Sequence, residues 1–100
     1  MATDAELRAE LTQTLGEAEW VLLAKHAARD VVVLIAPGLE ILEVGVKIAQ
    51  DDTAAVSAWI EAGRLAKPTQ AQLDGWNADT AKKFVSIVVH PYVLIQEILH

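Results

Sequence analysis

Two neighbouring carboxylates, Asp51-Asp52, and three imidazoles, His26, His90 and His100, are the side chains of this sequence best suited to chemistry. Asp51-Asp52 is the one place where two acids adjoin. Joined by Glu40 or Glu43, the pair would offer oxygen ligands to a hard cation, or a general acid–base pair. The same residues suit a helix start, one as the N-cap and the other near the positive end of the helix dipole. Because an apolar-periodic segment follows at once, the capping role accounts for them more directly. The histidines are scattered, and none stands three or four residues from another, the spacing that places two metal ligands on one helix face. His26 has Asp30 four residues on, but that Asp is better placed to end a helix. His90 precedes Pro91, which forces an extended backbone and cannot donate to a strand ladder. We therefore expect His90-Pro91-Tyr92 to be a corner and not a tuned acid–base group.

Other chemistries find less support. Ser57 and Ser86 are the only serines, and neither lies in a Gly-x-Ser-x-Gly elbow. There is no cysteine, which excludes disulfides, thiolate metal ligands and thiol nucleophiles. No glycine-rich phosphate loop occurs. The net charge is −6 and the eight Lys and Arg are dispersed from Arg8 to Lys83, so nucleic acid is not an expected partner. No catalytic, cofactor-binding or metal-binding residue is assigned on this reading.

The elements that must position these residues follow from periodicity. With 53% apolar residues in 100, the chain is expected to fold as one domain, residues 1–100, burying roughly 65% of its unfolded surface. Thr3-Asp4-Ala5-Glu6 has the form of a capping box, and Leu7, Leu11 and Leu15 continue it at helical spacing to Gly16. A second helix carries Trp20, Leu23, Ala24 and Ala27 on one face. Val31 to Ala36 reads as a strand buried on both sides. In Leu39–Gln50 the polar residues Glu40, Glu43, Lys47 and Gln50 form one narrow stripe, predicting a largely buried helix with Glu43 and Lys47 paired outside. Asp51–Gly63 predicts a helix with Val56, Trp59 and Ile60 on its apolar face. Arg64–Pro68 should be a short extended piece, Thr69–Asn77 a capped helix bearing Leu73 and Trp76, and Phe84–Val89 a strong strand. From Tyr92 the pattern fits a short terminal helix through Leu99, or a continued edge strand. The three tryptophans are expected in a shared core. The expected architecture is α+β, a two- or three-stranded sheet covered by four to five short helices.

The ordered set of these features resembles domain-of-unknown-function family 2288, a bacterial family. The likeness rests on the apolar strand, the Leu39–Gln50 helix, the Asp pair before a helix with Trp59, Gly63-x-Leu65, Lys67-Pro68, and Pro91-Tyr92-Val93-Leu94-x-Gln96. It covers Leu7 to Glu97. It departs where members carry a proline before the first Trp, since Glu17-Ala18-Glu19 stands here. The resemblance implies fold boundaries and no activity.

The acidic N-terminus lacks an apolar core segment, so no signal peptide is expected, and no apolar run reaches the length of a membrane span. A cytoplasmic location follows as an expectation. The apolar surplus, concentrated in Phe84–His100, points to a non-enzymatic interaction or assembly protein, homodimeric through that segment. Two alternatives compete. One is a winged-helix-like regulator, although Asp51–Ala62 and Thr69–Asn77 hold no Lys or Arg with which to contact DNA. The other is a small metal-dependent protein using Asp51 and Asp52.

Overall fold

The computed structural model describes residues 3–98. Five helices and five strands alternate along the chain in an order that interleaves both. The first helix, α1 (Asp4–Thr12), is capped by Thr3, whose side chain accepts a hydrogen bond from the Glu6 amide at 3.2 Å. It ends before Gly16. Thr14 Oγ1 donates to the Leu11 carbonyl and accepts from the Val88 amide, fastening the helix end to the sheet.

Gly16 opens a strand, β1 (Gly16–Glu19), where the sequence predicts only a helix break. Gly-Glu-Ala-Glu has no β-branched or aromatic residue, so nothing local proposes a strand. Pairing imposes it: residues 16–19 lie antiparallel to residues 83–86 of β4 (Lys83–Val89). The helix α2 (Trp20–Ala28) follows without a linker and without a side-chain cap. Its first amides, at Trp20 and Val21, instead donate to the carbonyls of Lys82 and Thr80.

The predicted first apolar strand is β2 (Val32–Ile35), and the helix α3 (Ile41–Ala49) follows. Next come α4 (Thr53–Glu61), a two-residue strand β3 (Leu65–Ala66) and α5 (Gln70–Ala78), the last held by a full capping box between Thr69 and Gln72. The chain then enters β4, turns at His90-Pro91 through a cis peptide, and returns as β5 (Tyr92–Glu97).

The strand order is β1-β4-β5-β2-β3. All contacts are antiparallel except β2 with β5, where Val32 to Ile35 run alongside Val93 to Gln96. The class is α+β as expected, but the sheet has five strands where two or three are predicted. The larger correction concerns Tyr92 onward, which is neither a helix nor an edge. It is the central strand, with Leu94 and Ile95 wholly buried on opposite faces. Leu99 and His100 lie outside the described residues.

Helices cover both faces, as a strand apolar on both sides requires. On one side α1, α3 and α4 pack over Ile35, Ile87, Val89 and Leu94. There Gly45 of α3 is buried, and a Cβ built on it would meet Ile87 Cδ1 at 2.5 Å and Leu11 Cδ1 at 3.0 Å. On the other side α2 and α5 pack over Val32, Phe84, Val93 and Ile95. Trp20, Trp76 and Phe84 form a triangle there, with ring centroids 4.9–5.8 Å apart in tilted and edge-on arrangements. The Trp20 indole donates to Asn77 Oδ1 at 2.8 Å. Two tryptophans therefore share a core. Trp59 packs half-buried in the opposite layer.

Candidate functional site

Asp51 and Asp52 do two separate structural jobs. Asp51 has φ +58° and stands just past the end of α3; its amide reaches the Ile48 carbonyl, and the Asp52 amide reaches that of Lys47 at 3.0 Å. This is a Schellman ending, with Asp in the left-handed position usually taken by glycine. Asp30 closes α2 the same way (φ +62°), and Gly63 closes α4 (φ +74°). Asp52 is the N-cap of α4, accepting from the Ala55 amide at 3.1 Å. Its second oxygen lies 3.9 Å from Lys47 Nζ. That corrects the expected Glu43–Lys47 pair. Glu40 turns to Arg8, 2.8 Å away, and this hydrogen bond raises the pKa of the guanidinium.

The histidines do not converge. His26 is half-buried on α2, His90 is exposed in the β4–β5 turn, and His100 lies outside the described residues. Among the described residues no group of three or more His, Asp or Glu is placed to hold a metal ion. Ser57 is exposed on α4, while Ser86 sits half-buried within β4.

The two aspartates nonetheless flank a concavity of the described surface. A groove of about 460 Å³ opens between α4 and the sheet. Val33, Ile48, Val56 and Leu65 line its apolar interior, and Ile60 and Tyr92 stand at the opening. Asp51, Asp52, Thr53 and Ser57 belong to the α4 side, and Lys67 to the side formed by the end of β3. It exists because α4 is a loosely seated helix, with Val56 and Trp59 only half-buried and no residue fully buried. Tyr92 alternates with the buried Val93, so its ring projects on the α4 side of the sheet.

Sequence reasoning missed this groove. Ile60 reads as a core residue of its helix but is 57% exposed, and Tyr92, read as the start of a terminal helix or of a continued edge strand, is 42% exposed. The only available signal was negative. On the face of α4 that lines the groove, the small Thr53 and Ser57 stand beside Val56 and Ile60, and they leave the space beneath the helix unfilled.

The family model described as protein of unknown function (DUF2288) matches residues 6–97. This chain belongs to the DUF2288 family. The DUF2288 fold described here is similar to the NMR solution structure of PA1075 from Pseudomonas aeruginosa, with a TM-score of 0.80 at 28% sequence identity. That match covers 94% of this chain and 86% of the other. No curated protein matches this DUF2288 chain. Among the described residues no helix is long and apolar enough to cross a membrane.

Proposed function

We propose that this DUF2288 protein is a non-enzymatic assembly protein of the cytoplasm that works as a homodimer, joined through the groove between α4 and the sheet. One observation carries the reading: an open apolar groove presents Ile60 and Tyr92, two large side chains more than a third exposed, at its mouth. Completing their burial is worth on the order of 1.5–3 kcal/mol for each side chain left fully in water, and proportionately less here. The apolar C-terminal segment that motivates self-association is mostly interior, in β4 and β5. Tyr92 is where that segment reaches the groove.

Association by sheet extension is disfavoured at both edges. The β1 edge carries exposed Glu17 and Glu19, and β3 is two residues long and stopped by Pro68. Contact through side chains in a groove remains, and it suits a chain whose polar groups form caps and ion pairs rather than a reacting set.

Sedimentation velocity over a concentration series tests the reading. The expected result is a dimer at a concentration on the order of 100 μM, lost in Ile60→Glu, while the thermal midpoint at a dilution where wild type is monomeric stays unchanged. A wild-type chain that sediments as a folded monomer throughout overturns it.

A further inference from the structure

The groove is bounded by opposite charges. One side is the α3–α4 turn and the start of α4, with Asp51 and Asp52; the other is the end of β3, with Lys67. The chain geometry brings them level. The nine residues of α4 rise about 13 Å, and after the Gly63 turn the chain doubles back through Leu65–Lys67 by about 10 Å. Acid and base therefore face each other across the same mouth.

A two-fold axis running along the groove lays each side of one copy over the opposite side of the other. We propose that two copies of this chain meet in that way, Asp51 of each facing Lys67 of the other, with Ile60 and Tyr92 enclosed between. This rests on the homodimer reading above and supplies its register. Copies carrying −6 repel at long range, so a stable pair needs local complementarity of this kind. Both partners are available. Among the described residues the Asp51 carboxylate is exposed and takes part in no ion pair. Lys67 is bonded to Asp30, but both side chains are mostly exposed, and such surface pairs exchange readily.

Charge exchange tests the register. Asp51→Lys alone places two bases against each other on both sides of the two-fold, and Lys67→Asp alone places two acids there. Each variant, confirmed as folded by its urea midpoint, should dimerise about tenfold or more weakly than wild type. An equimolar mixture should form a heterodimer within about threefold of wild-type affinity, because both contacts are then of opposite sign. Three equally tight homodimers would overturn the register while leaving the dimer intact. A monomeric wild type would overturn both.

Discussion

Asp51 and Asp52 are adjacent in sequence yet belong to different helices: Asp51 closes α3 in a left-handed conformation, and Asp52 opens α4 by capping its Ala55 amide. The pair thus joins two helices with no linker between them, and its acidity follows from two local backbone needs. Asp is among the few residues other than glycine that tolerate the first position. It is among the best at the second.

That relationship makes opposite predictions for two changes at one site. Asp51→Gly should be neutral or stabilise by up to about 1 kcal/mol, since glycine takes a positive φ without strain. Asp51→Val should destabilise by about 1–3 kcal/mol, since a β-branched side chain clashes there. Urea midpoints of the two variants check the sign; a Gly variant less stable than the Val variant would refute the Schellman role.

Gly45→Ala should destabilise although alanine is the better helix former. The propensity gain is about 1 kcal/mol. Against it, the new Cβ would lie 2.5 Å from the fully buried Ile87 Cδ1 and 3.0 Å from Leu11 Cδ1. Overpacking of this kind costs about 1–3 kcal/mol, so a net loss of up to about 2 kcal/mol is expected in denaturant unfolding.

Gln96→Leu should loosen the turn between β2 and α3. The Gln96 amide donates to the carbonyls of Ala36 at 2.8 Å and Leu39 at 2.7 Å, holding the Pro37-Gly38 loop against the central strand. Leaving both acceptors without that donor should cost about 1–3 kcal/mol. Hydrogen exchange should quicken in residues 36–41 and remain slow in β4.

The tryptophans should separate by layer. Trp76→Ala removes one corner of a buried aromatic triangle and should cost about 3–5 kcal/mol. Trp59→Ala, half-buried beneath a loosely seated helix, should cost clearly less. Equal losses in thermal or urea unfolding would contradict the two-layer assignment.

By itself the sequence determined the features whose causes are local. Thr3, Asp52 and Thr69 cap helices because their side-chain oxygens reach amides three residues on. Val32–Ile35 and Phe84–Val89 are strands because β-branched apolar runs suit nothing else, and His90-Pro91 turns the chain because proline ends a ladder. The family resemblance, too, was legible in the order of such features. The tertiary structure alone decided what depends on distant partners. Gly16–Glu19 is a strand only because β4 lies beside it. Tyr92–Glu97, whose apolar pattern suits helix or strand, is fixed as a central strand because β4 and β2 each offer it a ladder. The groove was invisible for the same reason. Ile60 and Tyr92 have the character of core residues, and only the loose seating of α4 over the sheet leaves them at the surface.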